Sequence, residues 1–399
     1  VFYQENVRIP ESVSADAMMA STVTNGSCGE NLTWEFIETS GTLTISGNGA
    51  MYDFEIDGTP WQEHKNGISK IVVEEGVTTI GDCAFCGLES ASDIQIASSV
   101  ESIGYYAFCD CDMVAIELPD SLIELDEGAF ISCEKLESIA IPSGVTSLPK
   151  SVFSYCYALT TVDIPETVTS IGEWAFSDSG LENITLPGSV TEIQKLAFNC
   201  CSNLTSIHLS EGLLSIADCA FTGCGLTEVT IPASVSSITE NPFRTCRFLQ
   251  RIEVAEGSEN FSSDSAGILF NKDKTKLICC SIGNDCDNGT YSIPQSVTEI
   301  GAYAFYDCWQ LTSVTIPNGV TTIGENAFRH SYNIANLVIP ESVSVIGQAA
   351  FLECHNMNTI TFVGNAPSIG KDAFGDIEVT AYYPVNNITW TESVRQNYG

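Results

Sequence analysis

The chain has 399 residues, with 15 basic against 51 acidic side chains and a formal net charge of −36. Such a charge repels nucleic acid and anionic lipid, so we expect no binding to either. The hydrophobic fraction of 44% is sufficient for a packed core, which excludes disorder, and no apolar run reaches the roughly 18 residues of a transmembrane helix, so no membrane insertion is expected.

The first 66 residues lack the repeat that follows them. Residues 1–20 are polar and irregular, and we expect a tail or linker. The chain begins with Val1, which suits an exported protein whose leader was removed, although a trimmed chain would begin in the same way. Residues 21–66 contain two alternating runs, Leu32 to Phe36 and Gly41 to Gly47, which predict a β-hairpin that caps the open end of the core.

Residues 67–374 repeat with a period of 22 or 23 residues, which predicts about twelve coils of one unit. Each unit has a phenylalanine, usually preceded by Ala, and an aliphatic residue five positions earlier. The anchor phenylalanines are Phe85, Phe108, Phe130, Phe153, Phe176, Phe198, Phe221, Phe243, Phe305, Phe328, Phe351 and Phe374. One gap of 62 residues interrupts the series.

The middle of each unit predicts a short strand. The pattern Leu-x-x-Ile-x-Ile-Pro, as in Leu136 to Pro142, places two aliphatic side chains on one side of a strand and leaves the alternate positions in solvent. Proline ends the strand because it has no N–H for the ladder. We therefore predict an α/β repeat solenoid, a rod or horseshoe with a parallel β-sheet on one face and short helical or irregular segments on the other.

The repeat resembles the BspA-like leucine-rich repeats of bacterial surface proteins. The segment Ile293 to Leu311 carries the whole signature, Ile-Pro-x-x-Val-x-x-Ile-Gly-x-x-Ala-Phe-x-x-Cys-x-x-Leu. The resemblance implies an extracellular or cell-surface location and a role in adhesion, with host extracellular-matrix or surface proteins as partners.

Most of the 17 cysteines occupy a repeat position. Eight lie three residues after an anchor phenylalanine, and these are expected to form a ladder of small buried thiols: Cys111, Cys133, Cys156, Cys201, Cys224, Cys246, Cys308 and Cys354. Cys86 and Cys109 each follow an anchor phenylalanine directly, so they are the pair to test for a disulfide. Cys83 and Cys86 have the spacing of a redox or zinc motif, but a repeat position explains them better.

The 62-residue gap contains an expected insertion at about 255–292. Residues 267–278 predict a β-hairpin whose tip concentrates Lys272, Lys274 and Lys276 on an acidic protein. These lysines are either a contact for an anionic partner or a solvated tip. Residues 375–399 are expected to form a C-terminal cap.

Motifs for catalysis and cofactors are missing from the sequence. The four histidines lie in different units, and the chain has no Gly-x-Ser-x-Gly, phosphate-loop or His-Glu-x-x-His motif. Residues 285–289 resemble an EF-hand loop only in part and favour an ordinary turn. We expect a non-enzymatic protein without a metal or other cofactor.

The exposed strand positions form the candidate binding surface, here called the inner face. It is rich in Thr and Ser, mildly acidic and nearly free of aromatic residues, which favours moderate affinity for a protein over a glycan. Its candidate residues are Glu117, Glu137, Thr160, Asp163, Glu182, Thr185, His208, Glu228, Thr230, Arg251, Glu253 and Thr315. A structural spacer with no ligand and a polysaccharide-binding protein remain as alternatives.

Overall fold

A computed structural model describes residues 22–281, 283 and 286–396. The predicted tail at 1–20 lies outside the described residues, as do 397–399 of the predicted C-terminal cap. The described chain is a parallel β-solenoid of about 13 turns. This architecture confirms the predicted repeat solenoid.

Two strands in most coils give the solenoid two parallel sheets. The strands up to the insertion are β1 (Val23–Ser27), β2 (Leu32–Ile37), β3 (Thr42–Gly47), β4 (Gly49–Ala50), β5 (Lys70–Val73), β6 (Val77–Ile80), β7 (Asp93–Ile96), β8 (Ser102–Ile103), β9 (Glu124–Leu125), β10 (Ser138–Ala140), β11 (Thr161–Asp163), β12 (Ser170–Ile171), β13 (Asn183–Thr185), β14 (Glu192–Ile193), β15 (Ser206–His208), β16 (Ser215–Ile216), β17 (Glu228–Ile231), β18 (Ser237–Ile238) and β19 (Arg251–Val254). The remaining strands are β20 (Phe261–Ser263), β21 (Leu269–Asn271), β22 (Lys276–Cys279), β23 (Thr290–Ser292), β24 (Glu299–Ile300), β25 (Ser313–Thr315), β26 (Thr322–Ile323), β27 (Asn336–Ile339), β28 (Val345–Ile346), β29 (Thr359–Phe362), β30 (Ser368–Ile369) and β31 (Thr380–Tyr382).

The longer strands form the first sheet, whose exposed side is the inner face. They pair in parallel as β5–β7, β10–β11, β13–β15, β17–β19, β23–β25 and β27–β29–β31. The second sheet was not predicted and consists largely of two-residue strands at the Val-x-x-Ile positions, in the orders β4–β6–β8–β9, β12–β14–β16–β18 and β22–β24–β26–β28–β30. Its in-register partners include Ile193 with Ile216 and Ile300 with Ile323, so the aliphatic anchors stack along the core.

The third side of each coil is a turn and not a helix, so the α/β description was wrong in this respect. Among the described residues, helices are limited to a 3₁₀-helix at Gln62–Gly67 and short α-helices at Cys286–Gly289 and Glu392–Gln396. In most described coils the residues two before and two after the anchor phenylalanine have positive φ, for example Trp174 (59°) and Asp178 (57°) around Phe176. A right-handed helix cannot contain such residues.

These turns are joined from coil to coil by backbone hydrogen bonds. The N–H of Phe85 donates to the carbonyl of Ala107 at 2.8 Å, and Phe176 donates to Ala197 at the same distance. The anchor rings stack behind these bonds, with centroids 5.2–5.8 Å apart from Phe85 to Phe243. A buried ring stack and a hydrogen-bonded backbone therefore support the third side.

The predicted cysteine ladder is buried, as expected, with all eight side chains at most 2% exposed. The structure adds a hydrogen bond that the sequence did not indicate. The thiol of Cys133 donates to the carbonyl of Phe108 at 3.1 Å, one coil back, and Cys156 donates to Phe130 in the same way. Ser331, in the equivalent position of its coil, donates its hydroxyl to the carbonyl of Phe305 at 2.7 Å. The ladder position thus selects a small donor that satisfies a buried carbonyl.

The insertion between Phe243 and Phe305 contributes to both sheets. Its strands β20, β21 and β22 pair antiparallel, and β22 then pairs in parallel with β24, matching Leu277 with Ile300. Strand β23 pairs with β25 in the first sheet. The segment therefore supplies a coil without an anchor phenylalanine. Cys280 takes the place of the anchor in the backbone hydrogen bonding, because its N–H donates to the carbonyl of Ala304 at 2.8 Å.

The Arg244 side chain contacts residues from coils before and after the insertion, on the side of the turns. The guanidinium of Arg244 lies 2.6 Å from a carboxylate oxygen of Asp218 and 2.9 Å from one of Glu240. It also lies 3.2 Å from the ring centroid of Tyr303, in the coil beyond the insertion. These contacts lie close to the insertion, where the two buried clusters of the core meet.

A tryptophan lies near each end of the phenylalanine stack. The ring of Trp61 stacks on Phe85 with centroids 5.8 Å apart, and its Nε1–H donates to the carbonyl of Ala84 at 3.1 Å. At the other end Trp390 packs on Phe362, and its Nε1–H donates to the carbonyl of Gly364 at 3.0 Å. Both rings are at most 6% exposed, so they cover the apolar ends of the core.

Candidate binding face

The structure exposes all twelve predicted inner-face residues. The strand pattern of buried and exposed positions alternates as predicted, for example in β13, where Asn183 and Thr185 are exposed around the buried Ile184. The same alternation recurs in β10, β15, β17 and β25. A line of hydroxyl and carboxylate groups therefore follows the first sheet.

The inner face is not a continuous ladder, because several neighbouring strands of the first sheet do not pair, β25 and β27 among them. Paired strands such as β10 and β11 have equivalent residues 23 positions apart, as Ile139 and Val162 do. Where the interval is 22, as from Val162 to Ile184, the neighbouring strands do not pair. Open depressions lie at three such intervals: between β7 and residues 115–117, between β11 and β13, and between β15 and β17.

The central depression brings four of the predicted residues together. Its open volume is about 480 Å³, and Thr160, Asp163, Glu182 and Thr185 all line it. Glu166 also lines it and was not predicted as part of the face. Three carboxylates and three threonines thus line this depression, which suits a basic side chain that carries several hydrogen-bond donors.

The depression between β15 and β17 unites three more of the predicted residues. His208, Glu228 and Thr230 line a volume of about 590 Å³ together with Glu211, which the sequence analysis missed. Backbone N–H groups of Ala233 and Ser234 donate to the Glu211 carboxylate at 3.0 and 3.1 Å and lower its pKa. This carboxylate is therefore ionised and fixed in position at neutral pH.

The third depression lies near the N-terminal end and contains one predicted residue. Glu117 lines it with Asp93 and Gln95 of β7, at a volume of about 530 Å³. The ammonium group of Lys70 donates to Asp93 at 2.7 Å and lowers the pKa of that carboxyl. The change of spacing from 23 to 22 at all three depressions is visible in the sequence.

The other predicted residues lie outside these depressions. Glu137 directly precedes β10, and its carbonyl accepts a hydrogen bond from the Thr160 hydroxyl at 3.3 Å. Arg251 and Glu253 of β19 pair with each other at 2.8 Å. Thr315 lies on β25, beyond the insertion, and pairs in register with Ser292. The candidate set is therefore a row along the sheet and not one cluster.

The hairpin lysines are engaged within the protein. The Lys272 ammonium donates to the carbonyl of Ser258, and that of Lys274 donates to the carbonyl of Ser263 at 3.0 Å. Lys276 forms an ion pair with Glu299 at 2.8 Å. The contacts of Lys272 and Lys274 lie within the insertion, and that of Lys276 reaches Glu299 of β24, so each contact uses one of the three N–H donors of its ammonium group.

Among residues 22–281, 283 and 286–396, no group of three or more His, Cys, Asp or Glu side chains has an arrangement suited to a metal ion. The same residues contain no helix with the length and apolar composition needed to cross a bilayer.

A model of a repeat family matches most of the chain. The model for the BspA-type leucine-rich repeat region matches residues 63–182, 175–268 and 278–394, in six copies. The chain belongs to the BspA-type leucine-rich repeat family. The matched residues span nearly all of the solenoid except 269–277 of the insertion, which confirms the resemblance seen in the sequence.

Solved structures share the fold at low sequence identity. A leucine-rich cell surface protein from Faecalibacterium prausnitzii is 21% identical, with a TM-score of 0.53 over 94% of this chain and 97% of that one. The pneumococcal vaccine antigen PcpA is also 21% identical, with a TM-score of 0.53 over 90% and 88% of the two chains. No curated protein is significantly similar to the chain.

Proposed function

We propose that this protein is a non-enzymatic adhesion or ligand-binding scaffold at the bacterial cell surface, and that it binds a protein partner through the inner face. The row of exposed hydroxyls and carboxylates along the first sheet carries the proposal. Repeat proteins stack their units to create extended surfaces of this kind. A surface protein of a host or of a neighbouring cell is the partner class that fits.

The chemistry of the inner face defines the partner more closely. The depression between β11 and β13 and the one between β15 and β17 contain Asp163, Glu182, Glu211 and Glu228 with threonine side chains beside them. A complementary surface presents Lys or Arg side chains at intervals along the solenoid, which gives fast association that falls as salt rises. Moderate affinity is expected, because the aromatic and arginine anchors of tight interfaces are scarce on this face.

A binding array tests the proposal. The purified chain is applied to matrix proteins, mucins and glycans at two salt concentrations, beside the variant Glu137→Lys/Asp163→Lys/Glu228→Lys. Saturable, salt-sensitive binding to a protein supports the proposal if the variant loses that binding. Binding to a glycan alone would favour polysaccharide recognition, and silence across the array would favour a spacer, a role suited to a stacked repeat solenoid.

A further inference from the structure

Two cysteines on the turn side occupy the same position in neighbouring coils. Cys86 follows Phe85 and Cys109 follows Phe108, and the two anchor rings lie 5.3 Å apart. The N–H of Phe85 donates to the carbonyl of Ala107, and that of Gly87 donates to Cys109, both at 2.8 Å. Backbones joined in this way run about 4.8 Å apart, within the roughly 4.4–6.8 Å between Cα atoms that a disulfide requires.

The two thiols differ in access to solvent. Cys86 is partly exposed, whereas Cys109 is only 7% exposed. The neighbouring Cys109 side chain favours the thiolate of Cys86 and lowers the pKa of Cys86, as Lys65 also does, against the opposing effects of burial, Asp110 and Asp57. The Cys109 sulfur also lies 3.2 Å from a carboxylate oxygen of Asp110. An accessible thiol that ionises readily beside a second thiol is the arrangement in which oxidation leads to a disulfide.

We propose that Cys86 and Cys109 are a thiol oxidation site, at which a small peroxide converts the pair to a disulfide that links two neighbouring coils. The Cys86 thiolate attacks the O–O bond of hydrogen peroxide, and an S–O bond forms as hydroxide leaves and is protonated to water. Cys109 then gives up its proton, its sulfur attacks the Cys86 sulfur, and the S–O bond breaks with release of a second water. The two thiols lose two electrons in total, and the peroxide gains them.

Two internal controls separate stacking from accessibility. Cys201 and Cys224 also occupy one position in neighbouring coils, but they are 0% and 2% exposed and their thiols donate to the carbonyls of Phe176 and Phe198. Cys200 is exposed, but the equivalent residue of the next coil is Gly223. Cys201 and Cys224 therefore test two stacked thiols without solvent access. Cys200 tests solvent access without a cysteine at the equivalent position of the next coil.

The test treats the full chain with hydrogen peroxide, blocks the remaining thiols by alkylation, and maps the cysteines by mass spectrometry. We expect a cross-linked peptide pair that contains Cys86 and Cys109, lacks two hydrogen atoms and separates on reduction with dithiothreitol. Cys201 and Cys224 should be recovered as free thiols, and Cys200 should acquire oxygen without a cross-link. In Cys109→Ser, Cys86 should accumulate as a sulfenic acid that dimedone labels, while circular dichroism checks that the fold is retained.

Either of two results would overturn the proposal. The first is that, under conditions that oxidise Cys200, Cys86 of the wild type either stays reduced or acquires oxygen while Cys109 remains a free thiol. The second is a Cys201–Cys224 cross-link that forms as fast as the Cys86–Cys109 one, since stacking without access would then suffice.

Discussion

The cysteine ladder leads to a prediction in which alanine destabilises the fold more than serine does. Cys133 is fully buried, and its thiol donates to the carbonyl of Phe108 at 3.1 Å. In Cys133→Ala this hydrogen bond is lost and a small void remains. In Cys133→Ser the hydroxyl can donate, as Ser331 does to Phe305 at 2.7 Å.

The magnitude follows from the cost of an unsatisfied buried acceptor. A buried carbonyl that loses its donor costs about 1–3 kcal/mol, so Cys133→Ala should lower the free energy of unfolding by about 2 kcal/mol. Cys133→Ser keeps the donor and should cost less than about 1 kcal/mol. If the position required only a small apolar group, the order would reverse, because serine would bury a hydroxyl at a cost that alanine avoids.

The assay is urea unfolding of the wild type and both variants, followed by circular dichroism with a reductant present. The slope of free energy against urea should stay constant so that midpoints can be compared. The reverse change, Ser331→Cys, is the matched control and should be tolerated, since cysteine fills the equivalent position in most coils. An alanine variant at least as stable as the serine variant would refute the hydrogen-bonding role.

Three further predictions concern the turns, the insertion and the thiols. Thr245 has φ of 54° at the turn position where Gly87 has φ of 72°, so Thr245→Gly should stabilise by about 1 kcal/mol and Gly87→Thr should destabilise by a similar amount in thermal melts. Arg244→Ala removes a guanidinium that is only 14% exposed and contacts two carboxylates and the Tyr303 ring, so it should cost about 2–3 kcal/mol and separate unfolding into two transitions by calorimetry; a single transition with an unchanged midpoint would contradict this. Burial raises the pKa of Cys156 to about 12, so iodoacetamide at neutral pH should modify Cys200 in the folded protein but leave Cys156 unmodified until urea unfolds the chain.

The sequence predicts those parts of the fold in which the same type of side chain recurs from one repeat to the next. The phenylalanine anchors and the Ile-x-Ile strands determine the core, and they identify which strand residues face solvent. The second sheet was missed because two-residue strands such as Glu192–Ile193 are too short to produce an alternating pattern. Their pairing becomes apparent only when the coils are stacked.

The turns show why the helical expectation failed. Positive φ is usually signalled by glycine or asparagine, but in this chain Trp174, Leu196 and Thr245 adopt it. The hydrogen bonds between coils impose these conformations, and no local pattern records them. The depressions of the inner face depend on a one-residue difference between neighbouring repeats, which the sequence contains but which has a meaning only with the strand pairing known.

Comparison of two charge-reversed variants tests the proposed function most directly. One carries Glu137→Lys, Asp163→Lys and Glu228→Lys on the inner face, and the other carries Glu101→Lys, Glu124→Lys and Glu192→Lys, which change the net charge equally at exposed positions on the second-sheet side. Titration of both against the protein identified by the array, at two salt concentrations, should show an affinity loss of at least about tenfold for the inner-face variant, or roughly 1.4 kcal/mol, and little change for the other. Equal losses would mean that only net charge matters, and a greater loss in the second-sheet variant would place the contact on the opposite side of the solenoid; either result would contradict recognition through the inner face.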